Sequence, residues 1–408
     1  MGIKVGICGT GAFARNFVPL FKAHPLVGEV VLADLVPERA MEQAAKHDVA
    51  CVLSSLDELC DSDVDAIAIM TQRQLHGPQT LQALQAGKHV YCAVPIGQTV
   101  DEIRDIVRAV EKARLIYMTG ETSYYYPAAI YCRERFRSGD FGQFVYGEGQ
   151  YYHDMSHFYE PYRRSGGPQW KRIAGLPPMH YPTHSVSMIL SVTGARATKV
   201  SCLGFQDHHS DGIFQVGANE WDNTFSNETA LMRTSDGGMI RINEFRRIGW
   251  RGMSSVQTSL YGTSGCYEEQ ANSQVWVTID PNEMTDLSTL LKCQDVPVQE
   301  PQTDVDQVVL QEFYSGVSQV HPVDRLPKTF RGLHNGHLGS HQFLVDDFCQ
   351  AVATNRLPPN HVWAAARYCI PGLVAHQSAI KEGQLLDIPD LGDAPPDWKL
   401  LDPDGNAP

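Results

Sequence analysis

The N-terminal third of the chain alternates short apolar runs with amphipathic stretches. Apolar runs bounded by turn residues are typical of buried strands, whereas apolar residues at every third or fourth position are typical of helices. The alternation predicts βαβ units on a parallel sheet. The predicted strands are residues 3–8, 30–34, 50–53, 66–70, 89–92 and 116–119, and the predicted helices are residues 14–23, 37–47, 78–86 and 100–114.

Beyond residue 119 the segments lengthen, and apolar and polar residues alternate along them. This alternation is typical of half-buried strands. Asp236-Gly237-Gly238 suits a hairpin turn, because glycine tolerates the positive φ that such turns need. Antiparallel strands are expected within residues 144–153, 199–205, 229–247 and 256–261. Helices are expected at residues 126–138, 340–354 and 363–382, and a loose tail at residues 397–408.

Length and charge limit the class of protein. At 408 residues the chain is long enough for two domains, which we place at residues 1–122 and 123–408. The formal charge of −14 disfavours nucleic acid and anionic membranes as partners, because phosphate binding needs clustered basic side chains. The ten cysteines include no C-x-x-C pair, and neither a secretory leader nor a membrane-length apolar run is evident. A cytoplasmic protein with reduced thiols is expected.

A glycine motif follows the first predicted strand and opens a helix. It reads G-x-G-x-x-A, with Gly9 at the tight turn, Gly11 where the backbone approaches a pyrophosphate, and Ala14 where helix and strand pack closely. Asp34 ends the second strand, where a carboxylate accepts from both ribose hydroxyls. NAD is therefore favoured over NADP, although Arg39 close by keeps NADP open. The predicted phosphate-binding residues are Gly9, Thr10, Gly11, Ala12, Phe13 and Ala14.

With these features in view, the chain resembles the Gfo/Idh/MocA family of sugar oxidoreductases. The strand that ends at Thr71, the nearby His76 and the run before Pro95 carry the resemblance. It implies a Rossmann domain followed by an α/β domain with a large open, mainly antiparallel sheet, whose C-terminal helices pack back toward the first domain. It also adds Thr71, His76 and Pro95 to the expected cofactor site. Many dehydrogenases of the family carry Glu-Lys-Pro where this chain has Ala93-Val94-Pro95, and Val94 can neither donate nor accept a proton.

A narrower resemblance concerns the second domain. The pattern is similar to that of the NAD-dependent glycosidases of glycoside hydrolase family 109, with the redox sulfoquinovosidases of family 188 as close relatives. In family 109 a glutamate, a Y-x-H pair and a Y-P-T-H segment line the sugar site. The matching residues here, which we take as candidate catalytic residues, are Glu121, Tyr151, His153, Tyr181 and His184.

The resemblance implies glycoside hydrolysis by transient oxidation at C3, removal of the C2 proton, elimination of the aglycone, addition of water and reduction back. We assign His153 to the C3 hydroxyl and Tyr151 to the C2 proton, with Tyr181 and His184 for orientation or proton transfer. Glu121 is expected to anchor hydroxyls or tune a neighbour. Taken singly, the residues also suit structural roles. Tyr151 and His153 lie two apart on a strand and so share a face, and His184 suits the core of an apolar helix.

Two alternatives remain open: a conventional NAD-linked sugar or polyol dehydrogenase, and a non-catalytic protein that senses a sugar or cofactor. No metal is expected, because His153 and His157 would lie ~13 Å apart on a strand. The small-molecule partner is a sugar or glycoside. An anionic one would suit the basic residues Arg163, Arg164, Lys171, Arg172, Arg246, Arg247 and Arg251. The outer face of an open sheet exposes apolar surface that favours association, so we expect a homodimer or homotetramer.

Overall fold

The computed structural model describes residues 2–156, 159–250, 254–280, 282–294 and 316–402. The described chain divides into two compact units. The first, here called the Rossmann unit, comprises described residues of Met1–Pro127, Leu290–Ala366 and Leu391–Pro408. The second, here called the sheet unit, comprises described residues of Ala128–Thr289 and Arg367–Asp390. No described helix is both long enough and apolar enough to span a membrane.

The Rossmann unit is built on a six-stranded parallel sheet. Its strands are β1 Ile3–Cys8, β2 Val27–Ala33, β3 Cys51–Leu53, β4 Ala66–Ile69, β5 His89–Cys92 and β6 Tyr117–Thr119. They lie in the order β3-β2-β1-β4-β5-β6, so the order reverses beside β1. In such sheets a dinucleotide binds at the carboxyl ends of the strands near this reversal. All four residues of β4 are fully buried, as expected of a strand covered on both faces.

Helices follow the strands of this sheet. They are Val18–Ala23, Pro37–His47, Leu56–Asp61, His76–Gln85 and Val100–Ala113, with Gly336–Thr354 later in the chain. The prediction of one helix over residues 14–23 is wrong in detail. A 3₁₀ turn at Ala14–Asn16 comes first, and the α-helix begins at Val18. Pro19 explains the late start, because proline lacks the N–H of a helix interior but fits the first turn.

The sheet unit contains nine strands. They are β7 Phe144–Tyr152, β8 Ala197–Gln206, β9 Phe225–Thr234, β10 Met239–Phe245, β11 Val256–Gly262, β12 Gly265–Glu269, β13 Gln274–Thr278, β14 Thr285–Asp286 and β15 Leu386–Asp387. The order is β14-β13-β12-β11-β7-β10-β9-β8-β15. Only the described pair β7 and β10 is parallel. The predicted fold class is confirmed, and so is the turn between β9 and β10, where Gly237 has φ +91°.

The helices that belong wholly or partly to this unit are Pro127–Arg137, Tyr159–Gly166, Trp170–Ala174, Thr183–Thr193 and Val362–Ile380. Thr183–Thr193 packs against β7 at two glycines. A Cβ atom added to Gly149 would lie 2.2 Å from the carbonyl oxygen of Ser185, and one added to Gly147 would lie 3.1 Å from Ile189. We call the side of the sheet that this helix covers the inner face. The bare glycine backbone therefore lets the helix lie directly on the strand.

Candidate active site

The glycine motif lies at the carboxyl end of β1. Gly9 has φ +88°, a conformation that glycine adopts readily and that few other residues tolerate. A Cβ added to Gly11 would meet no atom within 4 Å. The space beside Gly11 is thus an open cradle against bare backbone, which suits the close approach of a pyrophosphate. These residues fit the predicted dinucleotide.

Asp34 is fixed beside this loop. One carboxylate oxygen accepts from the backbone N–H and the hydroxyl of Thr10, at 2.8 and 2.9 Å. The other accepts from the backbone N–H of Val36 at 2.8 Å. Each carboxylate oxygen has more than one acceptor direction, so Asp34 retains capacity for ribose hydroxyls. The loop and Asp34, the acid predicted to bind the ribose, are therefore held in one fixed arrangement.

His76 connects two segments at the same edge of the sheet. Its Nδ1 lies 2.9 Å from the carbonyl oxygen of Pro95, and its Nε2 lies 3.2 Å from that of Thr71. Burial is the largest effect on the pKa of His76 and lowers it, against the opposing hydrogen bonds to Pro95 and Thr71. Both ring nitrogens face backbone carbonyls, and direct contacts of Thr71, His76 and Pro95 with a cofactor stay predictions. Val94, beside Pro95, is also buried.

Glu121 lies in the Rossmann unit, just after β6. It is fully buried, and its carboxylate caps the 3₁₀ turn Thr122–Tyr125 by accepting from the N–H of Ser123 at 2.8 Å. The side-chain amide of Asn360 donates to its backbone carbonyl at 3.3 Å. Glu121 lies in the Rossmann unit, whereas the other four candidate catalytic residues lie in the sheet unit.

A buried histidine secures the segment that follows Glu121. The Nε2–H of His321 donates to the carbonyl of Tyr125 at 2.9 Å, and its Nδ1 accepts from the N–H of Ser318 at 2.9 Å. Burial is the largest effect on the pKa of His321, which is lowered to about 4. The ring also stacks on Phe343. The neutral imidazole is therefore part of the support for this edge of the unit.

Lowering the pH should reduce the free energy of unfolding through His321. Between pH 6.5 and about 4 the unfolded chain protonates His321 while the folded chain does not, so this residue's contribution to stability is lost as pH falls through that window. The shift corresponds to at most about 3 kcal/mol. Urea unfolding at pH 7 and pH 4.5 should show a weaker acid sensitivity for His321→Asn than for the parent. His208→Ala, a change at an exposed histidine, is the control, and an unchanged acid sensitivity in His321→Asn would contradict the assignment.

Two histidines that the sequence patterns do not single out lie beside the glycine loop. The ring of Phe13 meets those of His337 and His341 edge-on, each at 5.7 Å. His337 Nδ1 lies 2.8 Å from His341 Nε2. His337 and Leu338 have φ of 48° and 51°, values that few non-glycine residues adopt. The i, i+4 spacing of the two histidines was the available signal.

The other four candidate residues converge in the sheet unit. Tyr151 and His153 continue the inner face of β7 beyond the two glycines, with ring centroids 5.1 Å apart. His184, in the first turn of Thr183–Thr193, lies edge-on to Tyr151 and to Tyr181 at 5.4 Å each. The two tyrosine rings are 6.2 Å apart. Tyr151, His153 and Tyr181 are half-buried, whereas His184 is buried.

An ion pair that the sequence does not predict underlies this cluster. Arg246 donates to the carboxylate of Glu244 at 2.6 Å, and the hydroxyl of Ser185 donates to the same carboxylate. Burial raises the pKa of Glu244 to about 7, against the opposing effects of Arg246, Ser185 and His184. The Cζ atom of Arg246 lies 4.6 Å from the ring centroid of Tyr151. The cluster thus combines two phenols and two imidazoles with a buried cation and a buried acid.

The basic residues considered for an anionic sugar have protein partners. Arg247 donates to both carboxylate oxygens of Asp211, at 2.7 and 2.6 Å. The remaining pairs are Arg163 with Glu160, Lys171 with the carbonyl of Asp211, Arg172 with Glu220, and Arg246 with Glu244. Arg251, His157 and the side chain of Arg164 lie outside the described residues. Within the described chain, no three His, Cys, Asp or Glu side chains form a group that can hold a metal ion.

The family model of the oxidoreductase family with an NAD-binding Rossmann fold matches residues 3–121. Residues 3–121 are therefore similar to the NAD-binding domain of the Gfo/Idh/MocA family. The comparisons confirm four predictions in general terms: the family, the fold class, an enzyme and NAD as cofactor.

Relatives extend the match beyond the Gfo/Idh/MocA domain. A "Glycosyl hydrolase family 109 protein" of Saccharopolyspora erythraea is 31% identical over 294 residues, which are 65% of this chain and 62% of the relative. This chain thus covers less than two thirds of that relative's length. A protein of the same name from Streptomyces niveus is 25% identical over 426 residues, with 98% of this chain and 79% of the relative covered.

Solved structures share the fold. A levoglucosan dehydrogenase in complex with NADH matches with a TM-score of 0.73 and 18% identity, over 96% of this chain and 100% of the other. An oxidoreductase domain protein from Kribbella flavida matches with a TM-score of 0.71 and 17% identity, over the same shares of the two chains. At these identities the likeness shows the fold alone.

The open cradle of the Gfo/Idh/MocA domain gives a direct test of cofactor binding. Gly11→Ala should weaken NAD binding by more than about tenfold, because the new methyl group enters the space that the pyrophosphate is predicted to occupy. The free energy of unfolding should stay near that of the parent, since the added Cβ meets no protein atom. Calorimetric NAD titration and thermal unfolding check both outcomes. Gly249→Ala, whose Cβ also meets open space, is the control, and unchanged affinity in Gly11→Ala would place the cofactor elsewhere.

Proposed function

We propose that this chain is an NAD-dependent glycoside hydrolase that cleaves a glycosidic bond by way of a temporarily oxidised sugar. The convergence of Tyr151, His153, Tyr181 and His184 on one face of the sheet unit carries the proposal. Phenol and imidazole groups suit the several proton transfers that this chemistry needs near neutral pH. The family 109 name of relatives that match most of the chain supports the same reading.

When bound, NAD would supply the chemistry of a hydride acceptor and donor, so that the sugar could be oxidised and reduced again within one cycle. His153 takes the proton of the C3 hydroxyl on an imidazole nitrogen. The phenolate oxygen of Tyr151 then removes the proton at C2, which the neighbouring ketone makes acidic. The electron pair of that C–H bond forms the C1–C2 double bond, and the C1–O bond to the aglycone breaks. The oxygen of a water molecule later bonds to C1, and the remaining proton of that water goes to the aglycone oxygen. Tyr151, whose phenol exchanges its proton with solvent, gives a proton to C2, and C3 regains its hydride while its oxygen regains the proton held by His153.

The remaining candidates hold the substrate. Tyr181 and His184 orient the sugar beside Tyr151. For Glu121, the resemblance to family 109 implies that its carboxylate anchors hydroxyls or tunes a neighbour. The net reaction is hydrolysis, so no cofactor is consumed over a complete cycle. This stoichiometry distinguishes the proposal from an ordinary dehydrogenase reaction.

The decisive experiment measures products and cofactor together. Purified protein with NAD is incubated with a panel of α- and β-linked 4-nitrophenyl glycosides in heavy water. Nitrophenol release without stoichiometric NADH, together with deuterium at C2 of the released sugar, is the expected result. Product that keeps its C2 hydrogen during turnover would contradict elimination. Tyr151→Phe should stop the release of nitrophenol. Tyr146→Phe, a change five residues earlier on the other face of β7, is the matched control and should keep it.

A second candidate is a conventional NAD-linked sugar dehydrogenase. It is favoured by a "1,5-anhydro-D-fructose reductase" of Ensifer adhaerens, 34% identical over 116 residues, which cover 28% of this chain and 34% of that protein. Steady NADH formation from a free sugar, with no release of nitrophenol from the panel, would support this candidate.

We further propose that the outer face of the nine-stranded sheet joins copies of the chain into a homodimer or homotetramer. Leu203, Phe205, Leu231 and Met239 lie on this face and are each more than half exposed. Apolar surface of this kind is typical of an interface. Light scattering at micromolar concentration should give a multiple of 45.3 kDa, and Phe205→Glu with Leu231→Glu should shift it to one copy. A monomeric parent protein would overturn the proposal.

A further inference from the structure

A buried acid and a buried arginine share one face at the end of β10. Glu244 and Arg246 are 0% and 4% exposed, and because they lie two apart their side chains point the same way. Glu244 is the register partner of Tyr151 on the parallel strand β7. The buried pair therefore lies directly alongside the residue that we propose as the C2 base.

The guanidinium of Arg246 is held over the Tyr151 ring. Its centre lies 4.6 Å from the ring centroid, within the range of a cation–π contact. Besides the carboxylate of Glu244, it donates to the carbonyls of Pro178 and Tyr181, each at 3.4 Å. These three acceptors fix the position of the positive charge. Buried charges at this distance interact strongly, because little water screens them.

We propose that the Glu244–Arg246 pair sets the ionisation of the Tyr151 phenol. Arg246 favours the phenolate, and Glu244 offsets part of that effect. Arg246 is thus a positioning residue that acts through Tyr151, and the inference rests on the proposed role of Tyr151 as a base. The titratable and charged groups that face Tyr151 are His153 on its own strand, Tyr181 and His184 from the turn and helix, and Glu244 and Arg246 from β10.

The two members of the pair should act in opposite directions. Glu244→Gln removes a negative charge and leaves Arg246 uncompensated, so the midpoint of Tyr151 ionisation should fall. Arg246→Met removes the positive charge, so the midpoint should rise. Each change should amount to about one pH unit or more at this distance. A purely structural role would give no such opposition of sign.

The experiment titrates the full chain without any sugar. Protein labelled with ¹³C at the tyrosine Cζ is followed by NMR across alkaline pH, and the Tyr151 resonance is assigned from its loss in Tyr151→Phe. Arg246→Lys keeps the charge and should keep the parent midpoint. Arg241→Met is the matched control: Arg241 joins β10 to Glu148 of β7 at 2.7 Å on the outer face, so its loss should leave Tyr151 unchanged.

A double variant that removes both charges covers the case in which a single variant does not fold. If Arg246→Met does not fold, the double variant Glu244→Gln/Arg246→Met leaves no unpaired charge buried. The midpoint of Tyr151 ionisation in this double variant should lie above that of Glu244→Gln alone. Equal midpoints in these two variants, or shifts of the same sign in both single variants, would overturn the inference. Opposite shifts together with full glycoside cleavage by Tyr151→Phe would leave the tuning in place and reject the proposed function instead.

Discussion

Replacement of His153 by alanine should lower the rate of glycoside cleavage by about 10²- to 10⁴-fold, the range that a general acid or base contributes. In the proposed reaction this imidazole accepts the proton of the C3 hydroxyl while the hydride leaves the C3 carbon. The backbone at this position is held independently, since the N–H of His153 donates to the carbonyl of Phe245 at 3.0 Å. Loss of the ring should therefore leave the strand in place.

Two measurements separate a catalytic role from a structural one. NAD affinity and the thermal unfolding midpoint of His153→Ala should match the parent, whereas nitrophenol release should collapse. His208→Ala, which removes an exposed imidazole from the same unit, should keep full activity. If His153→Ala also keeps full activity, His153 has no part in the proton transfers.

Gly149→Ala should damage both stability and activity. The new Cβ would lie 2.2 Å from the carbonyl oxygen of Ser185, a distance that forces the helix Thr183–Thr193 away from β7. Overpacking of this kind costs about 1–3 kcal/mol in the free energy of unfolding. The displaced helix also carries His184, so cleavage of the glycoside should weaken with it.

Urea unfolding and activity assays of Gly149→Ala test this expectation. Gly249→Ala is the control, because a Cβ there meets no atom within 4 Å. A Gly149→Ala protein as stable as the parent would mean that the helix can move away from the strand at no cost. The close contact would then have no part in placing His184.

The dinucleotide half of the site was predictable from the sequence because its signals are local. Gly9, Gly11 and Asp34 stand at fixed offsets from the first two strands, and the positive φ of Gly9 is what a glycine at that turn provides. The shared face of Tyr151 and His153 also follows from strand periodicity alone. Bringing Tyr181 and His184 to the same face needed the resemblance to family 109, because no local rule relates them to β7.

The rest depends on pairings between distant parts of the chain. Glu244 and Arg246 join the cluster only because β10 pairs with β7, and nothing in their neighbourhood indicates that partner. His337 and Leu338 share a left-handed backbone with Gly339, and the residue types at 337 and 338 give no indication of it. The prediction of a loose tail is wrong within residues 397–402, since Trp398 is buried and Leu400 bridges to Leu357. The burial of Trp398 holds this segment against the protein, although the residues around it are mostly polar.

The parallel pairing of β7 with β10 has a consequence for how the protein folds. Arg241 and its partner Glu148 are 93 positions apart, so the loop-closure entropy of a long intervening segment opposes their pairing. The hairpin of β9 and β10 needs only a short turn and can form early. Distant pairings form slowly, so the aromatic cluster should be assembled late during refolding. Recovery of catalysis should accordingly lag behind recovery of β-structure in a stopped-flow experiment.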